Sequence, residues 1–182
     1  MRSIAAEAGC TTGLVTHYFA NKDELLDAMI HRIARLAGQR LRAARAGLVG
    51  MESLRALLVT SMPLVPEHAS EWRIWISLWD RSIANGRLRD EWQRRSSGWI
   101  GLVRRTLEQA VKEGELVPET PIDTIAESLT VTHYGICVTA VLTPERFEAV
   151  DAVRIIDDQL DAIRARYGVS EPTRWQPREV PG

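Results

Sequence analysis

Apolar side chains recur along this chain at intervals of three and four residues, which is the spacing of one face of an α-helix. No segment shows the strict alternation that a half-buried strand would need. Glycine, proline and an Asn-Gly pair interrupt the pattern between the periodic segments. We therefore predict an all-α protein whose helices cover about residues 1–8, 12–18, 21–46, 51–65, 70–84, 87–113, 122–142 and 143–167.

Two local signals mark the first helix boundaries. Gly9 can adopt the left-handed conformation that ends a short helix. Asn21 and Glu24 have the spacing of a capping box, so a long helix should begin between them. The end of the chain contains three prolines and few apolar side chains, which predicts a mobile tail. The chain is accordingly divided into three parts, which are residues 1–46, 47–167 and the tail at 168–182.

The composition is that of a soluble globular protein, with 45% hydrophobic and 26% charged residues among 182. The net charge of −1 excludes a polycation, so contact with nucleic acid requires a local basic region. Residues 1–50 supply one, because they contain seven basic and four acidic side chains. No secretory signal is visible, and charges interrupt the apolar runs before about 18 residues. We therefore predict a cytoplasmic protein with no membrane partner.

The sequence contains no spacing that is typical of catalysis or metal binding. Its four histidines are scattered, and no H-x-x-x-H or H-E-x-x-H pair occurs. Neither a P-loop, a G-x-G-x-x-G loop nor a G-x-S-x-G elbow is present. Cys10 and Cys137 form neither a disulfide framework nor a metal-binding set. We predict that the protein is not an enzyme and has no catalytic residue, metal site or cofactor.

The first two predicted helices form a hairpin around Gly9. Two short helices joined by a turn of three or four residues are the pattern of a helix-turn-helix, whose second helix enters the major groove of DNA. The same pattern is common in all-α proteins that bind no DNA. The spacing alone therefore leaves a purely structural hairpin as the alternative.

The residues of this hairpin help to decide between a DNA-binding helix-turn-helix and a purely structural hairpin. The segments IAAEAGCTTGLVTHYF at 4–19 and NKDELL at 21–26 resemble the signature of the TetR family of transcriptional regulators, and most of all its BetI-like branch. The resemblance implies a TetR-like fold, with an N-terminal helix-turn-helix subdomain and a C-terminal helical domain for ligand binding and dimerisation. It also implies a ligand-responsive repressor that acts as a homodimer on palindromic operator DNA.

The resemblance places DNA contacts at the second helix and at the start of the third. Short side chains near Thr12 would reach base edges or thymine methyl groups, and His17 and Tyr18 would hold phosphates. Lys22 stands at a helix N-terminus, where its ammonium and the backbone N–H groups form a site for a phosphate. The complete predicted DNA-binding set is Thr11, Thr12, Gly13, Leu14, Thr16, His17, Tyr18 and Lys22.

The family normally has one more helix before this motif. The first residue of this chain aligns inside the second helix of the usual fold. We expect a start codon that was assigned too late, and the alternative is a chain that lacks the first helix. A second function follows from that alternative, namely a dimeric protein that binds a small molecule or a partner and has a non-functional DNA-binding region.

Tryptophans form a stripe on one predicted helix. Trp72, Trp75 and Trp79 are three and four residues apart and share a face. Trp92 and Trp99 lie two turns apart on the next helix. The rings fill a core or line an effector cavity, and both interpretations stay open. The resemblance implies an effector in this domain, and indole faces suit a quaternary ammonium group. The predicted ligand-binding set is Trp72, Trp75, Trp79, Trp99, His133, Tyr134 and Cys137.

The last two predicted helices carry more apolar surface than one side of a thin domain needs. The resemblance implies that they pair with those of a second chain in a four-helix bundle. The two helix-turn-helices would then lie roughly 34–36 Å apart, one turn of DNA. A core within one chain is the alternative. The predicted interface set is Ile125, Leu129, Ile136, Phe147, Val153, Ile156 and Leu160.

Overall fold

Eight α-helices form the regular structure of the computed structural model, which describes residues 1–145 and 147–169. No strand occurs within these ranges, and Leu116 and Gly168 form an isolated β-bridge. The all-α prediction is therefore confirmed. The helices are α1 Arg2–Glu7, α2 Thr12–Tyr18, α3 Lys22–Ala44, α4 Gly50–Thr60, α5 Pro66–Ala84, α6 Gly86–Lys112, α7 Ile122–Leu142 and α8 Ala149–Tyr167.

Two helices begin at a different place from the one predicted. α5 begins at Pro66 instead of near residue 70, because proline at the first helical position lacks only an N–H that would have no partner there. α8 begins at Ala149 instead of near Thr143, since residues 144–145 form a turn after α7. The loops before both helices are therefore shifted, and Phe147 lies in the loop before α8.

The predicted capping box starts the long helix α3. The Asn21 side chain accepts a hydrogen bond from the Glu24 amide at 2.9 Å, and the Glu24 carboxylate accepts one from the Ala20 amide at 2.7 Å. Gly9 has a φ of 64°, which is the left-handed conformation expected between α1 and α2. These contacts set the direction in which the chain leaves the helix-turn-helix.

The main core lies between α4, α6, α7 and α8. Leu58, Leu107 and Leu129 are among its fully buried side chains, and Ile156 and Leu160 of α8 close it on one side. A bidentate ion pair between Arg55 of α4 and Asp157 of α8, at 2.6 and 2.8 Å, lies at its edge. This core makes residues 50–167 one packed unit.

A second, smaller core attaches α3 to that unit. Ile30 of α3 packs with Leu78 of α5 and Leu88 of α6, and all three side chains are fully buried. α1 and α2 pack against each other around Ala5 and Val15 and make only marginal contact with other helices. The position of the helix-turn-helix relative to the main core therefore depends on α3.

α7 is the one helix in the described ranges that is long and apolar enough to cross a membrane by length and composition. Its Ile125, Leu129 and Ile136 side chains are buried in the main core. A core helix of this kind passes the same test of length and hydropathy as a membrane span. The property is therefore weak evidence for a membrane.

The first two residues of the predicted tail, Gly168 and Val169, lie beside the loop that follows α6. The Tyr167 carbonyl accepts a hydrogen bond from the Val117 amide at 2.8 Å, and the Val169 amide donates to the Glu115 carbonyl at 3.2 Å. Gly168 and Val169 are thus tied to the loop that follows α6. The rest of the predicted tail, residues 170–182, lies outside the described residues.

Five of the predicted interface residues belong to the core of one chain. At most 7% of each side chain is exposed, so no surface is left for a second chain, and the alternative of an intramolecular core describes them. Phe147 and Val153 are half-buried. The five core residues are Ile125, Leu129, Ile136, Ile156 and Leu160.

The same two helices expose other apolar side chains. Val131 and Leu142 of α7 are 69% and 64% exposed, and Val150 of α8 is 64% exposed. Ile155 of α8 is also exposed. We refer to these four side chains as the exposed apolar surface of α7 and α8, which the described residues leave uncovered.

Candidate DNA-binding and effector sites

The N-terminus of α2 is shaped by its own side chains. The Thr11 hydroxyl oxygen accepts a hydrogen bond from the Leu14 amide at 3.2 Å and caps the helix. The Thr16 hydroxyl lies 3.0 Å from the Thr12 carbonyl oxygen and donates to it. The Thr11 oxygen and the Thr16 proton are thus engaged within the helix, which limits what these two hydroxyls can offer to a base.

α2 exposes two large apolar side chains to solvent. Leu14 is 49% exposed and Tyr18 is 67% exposed, with His17 packed edge-on against the Tyr18 ring at 5.1 Å. Of the eight predicted DNA-binding residues, Thr12 is partly buried and the others are exposed. The structure thus brings the predicted set together on α2 and the start of α3.

Lys22 is the first residue of α3 and is exposed. The neighbouring Asp23 carboxylate is paired with the Arg81 guanidinium of α5, so it is neutralised from the other side. The Lys22 ammonium and the free N–H groups at the helix N-terminus therefore remain available to an anion.

An aromatic cavity of about 280 Å³ lies between α3, the end of α4, α5, α6 and α7. Six of the seven predicted ligand-binding residues line it, namely Trp72, Trp75, Trp79, Trp99, His133 and Tyr134. Cys137 does not, because it is fully buried behind His133, with its sulfur 3.6 Å from the His133 Nε2 atom. Burial raises the pKa of the Cys137 thiol, which stays protonated.

The cavity walls are held by contacts between rings. Trp79 packs edge-to-face against Trp72 at 6.0 Å and against Trp92 at 5.1 Å between ring centres. Trp99 stacks on His133 with 4.8 Å between ring centres. The rings of the tryptophan stripe thus pack against the core and also leave a cavity between them.

His133 is a neutral side chain at the base of this cavity. Burial lowers the pKa of His133 to about 3. Its Nε2 atom is hydrogen-bonded to the Ser61 hydroxyl at 2.7 Å, and the Ser61 carbonyl accepts a hydrogen bond from the Trp72 indole at 2.8 Å. Burial also raises the pKa of Tyr134 to about 12. Neither ring therefore contributes a charge to the cavity near neutral pH.

Two charged pairs contact the cavity, and the sequence did not predict them. Arg40 of α3 donates two hydrogen bonds to the Glu71 carboxylate of α5, at 3.2 and 2.9 Å. The Arg95 guanidinium lies 5.6 Å from the centre of the Trp75 ring and is paired with buried Glu91. The Arg40–Glu71 pair joins two helices and depends on how they pack, whereas Glu91 and Arg95 are four residues apart on α6 and pair locally.

Trp92 also lines the cavity, although it was not in the predicted set. Its spacing from Trp99 was the available signal, because residues seven apart lie on one face of a helix. Asp80, an acidic residue close to the stripe in sequence, is exposed outside the cavity.

A small cluster of potential metal ligands lies near the start of α3. Asp27, His31 and Glu91 each bring one donor atom within 4.8 Å of the others. Asp27 is paired with Arg87 at 3.6 Å, and Glu91 with two arginines of its own helix. Three arginine charges exceed two carboxylate charges here, so the cluster does not favour a cation.

Comparison with known families identifies the architecture. Residues 50–165 match the family described as BetI-type transcriptional repressor, C-terminal, and residues 1–29 match the bacterial regulatory proteins of the tetR family. The chain belongs to the TetR family. This TetR-family protein is a transcriptional regulator with a DNA-binding N-terminal region, and its relatives are regulators, not enzymes. The resemblance seen in the sequence is confirmed.

Two similar regulators match along nearly the whole chain. The HTH-type transcriptional regulator BetI of Paraburkholderia phytofirmans is 24% identical over 169 residues, which are 91% of this chain and 83% of the relative. The protein of the same name from Paraburkholderia xenovorans is 26% identical over the same shares of both chains.

Solved structures share the fold of this TetR-family protein. A transcriptional regulator from Rhodococcus sp. Rha1 has a TM-score of 0.77 and 21% identity, over 93% of this chain and 87% of its own. A regulator from Saccharomonospora viridis in complex with choline has a TM-score of 0.78 and 22% identity, over 87% and 82% of the two chains.

The buried His133 makes a specific prediction for the pH dependence of stability. An unfolded histidine titrates near 6.5, so between pH 6.5 and about 3 the unfolded chain binds a proton that the folded chain does not. The contribution of neutral His133 to the free energy of unfolding is fully present above pH 6.5 and is lost as the pH falls from 6.5 toward 3. His133 should contribute a loss of about 2 kcal/mol between pH 7 and pH 5.

Urea denaturation at both pH values measures this loss. In His133→Gln, which keeps an amide to pair with Ser61, the loss between the two pH values should shrink by about that amount. His31→Gln, at an exposed histidine, serves as the control and should behave like the parent protein. Equal losses in the parent and in His133→Gln would contradict a neutral buried imidazole.

Proposed function

We propose that this regulator is a cytoplasmic, ligand-responsive repressor, which binds palindromic operator DNA as a homodimer and releases it when an effector occupies the aromatic cavity. The observation that carries the proposal is the sharing of one helix by both sites. α3 begins with Lys22 beside the helix-turn-helix and contributes Arg40 to the cavity wall. A ligand that changes the packing of α3 therefore changes the position of the DNA-binding surface.

The mechanism is a shift of population between two arrangements of α3. An effector can shift this equilibrium only by as much as its affinities for the two arrangements differ. A useful coupling between the sites is about 1–3 kcal/mol, or roughly 5–150-fold in operator affinity. The Arg40–Glu71 pair is the polar contact at which the cavity can act on α3, because it joins α3 to α5 at the cavity wall.

DNA binding is tested by fluorescence anisotropy with duplexes from the region upstream of the gene, at two salt concentrations. Lys22→Ala should weaken binding to all sequences alike and reduce the slope of log K against log salt by about one. Thr12→Ala should instead change the preferred base.

The control is Lys112→Ala, which removes the other lysine of the chain, at the far end of α6. It should leave DNA affinity unchanged. Unaltered affinity in Lys22→Ala would remove the phosphate contact from the proposal. If the parent protein binds no duplex with a steep salt dependence, the second function applies, a dimeric protein that binds a small molecule or a partner and has a non-functional DNA-binding region.

The coupling through α3 is tested without any ligand. Glu71→Gln removes the charge that holds Arg40 and should change operator affinity by about fivefold or more, the lower end of a typical coupling. Asp157→Asn breaks the Arg55–Asp157 pair, which is also bidentate but does not involve α3. It should leave operator affinity within about twofold. Equal effects of both variants on operator affinity would argue against α3 as the connection.

The exposed apolar surface of α7 and α8 supports the proposed homodimer. α7 and α8 each expose two large apolar side chains, and exposed apolar patches are typical of protein interfaces. Val131→Arg should convert the dimer into a monomer in light scattering, because a buried unpaired charge opposes association. Ile83→Arg is the control, since Ile83 of α5 is 75% exposed away from this surface. A dimer that survives Val131→Arg would place the interface elsewhere.

A further inference from the structure

Residues of the cavity wall carry hydrogen-bond donors that have no acceptor among the described residues. Five buried side-chain N–H groups have no hydrogen-bond partner in the described part of the chain, and four of them belong to residues that line the cavity. Buried donors without a partner are rare in folded proteins and destabilise them. The four groups are Arg40 Nε, Trp79 Nε1, Arg95 Nε and Trp99 Nε1.

No free anionic acceptor balances these donors on the described wall. Glu71 supplies the one carboxylate of the lining, and both of its oxygens accept hydrogen bonds from Arg40. His133 is already bonded to the Ser61 hydroxyl. The wall therefore offers donors and guanidinium groups to a ligand, and little that would pair with a cation.

Part of the aromatic surface is also occupied. The Arg95 guanidinium covers the Trp75 ring, and His133 is stacked on Trp99. A ring face that already carries a cation or another ring is a poor site for a quaternary ammonium group. The indole N–H groups of Trp79 and Trp99, buried beside the cavity without a described partner, are polar groups that a ligand could engage.

We propose that the cavity selects a small, planar, apolar molecule that carries a carboxylate or a similar acceptor group, held by the indole N–H groups of Trp79 and Trp99 beside the two arginines. This inference rests on the proposed effector function of the same cavity. The two indole N–H groups are out of contact with solvent, so their rings must turn toward the ligand as it binds. Charge-assisted hydrogen bonds from indole and guanidinium groups then replace unpaired donors.

Calorimetry on the full chain with three compounds of one ring system tests the chemical class. The probes are naphthylacetate, naphthylacetamide and naphthylmethyl-trimethylammonium. Naphthylacetate should bind at least about tenfold more tightly than the ammonium compound, which is the effect of one charge-assisted hydrogen bond. The neutral amide should lie between them. Equal affinities, or the reverse order, would overturn the inference and leave the cavity as an effector site of another class.

Three tryptophan variants test which indole N–H groups cause the preference for naphthylacetate over the ammonium compound. Trp79→Phe and Trp99→Phe each remove an unpaired N–H and should reduce the preference for naphthylacetate over the ammonium compound by about tenfold. Trp72→Phe is the control in the same cavity, because its N–H already donates to the Ser61 carbonyl. It should lower both affinities and keep their ratio. An equal loss of selectivity in all three variants would contradict the role of the unpaired N–H groups.

Measuring operator affinity distinguishes a failure of the proposed function from a failure of this inference. Operator affinity is measured with and without each probe that binds. If a probe binds as expected but leaves operator affinity unchanged, the ligand class stands and the regulatory function fails. If none of the three compounds binds, the inference about the ligand class fails, and the regulatory function is decided by the operator-DNA measurements with the Lys22 and Glu71 variants.

Discussion

The attachment of α3 to the larger domain is the constraint on which the rest of this structure depends. Ile30 packs with Leu78 and Leu88 in a small core, and the Arg40–Glu71 pair holds the same helix further along. Since α1 and α2 pack chiefly on each other, no other extensive contact in the described residues determines where the helix-turn-helix lies. A small change in the packing of α3 is thus carried to the DNA-binding surface without a change in the main core.

The aromatic cavity combines two roles that are usually separate. Its rings contact one another and the main core, so they stabilise residues 50–167 as packed side chains do. They also enclose a space and leave polar atoms unpaired, which a fully packed core would not. A chain that keeps such a space gives up the stability that close packing of these rings would add.

The sequence predicts those parts of the molecule that depend on local patterns. The tryptophan spacing placed Trp72, Trp75 and Trp79 on one face, and the capping box gave the start of α3. The Arg40–Glu71 pair joins residues 31 positions apart, and no local pattern relates them. The apolar faces of α7 and α8 were recognised, but periodicity cannot tell which apolar side chains meet their own chain and which face outward. For that reason core residues such as Leu129 were expected at an interface.

The concentration of indoles in one place has a consequence for how this protein can be observed. Five of its six tryptophans line the cavity, with Trp79 in contact with two others. The ultraviolet emission of the chain therefore arises mostly from the cavity walls, and excitation can pass between neighbouring rings before it is emitted. Movement of these rings, or loss of water beside them, alters the colour and lifetime of that emission. The emission of the regulator therefore reports directly on the aromatic cavity.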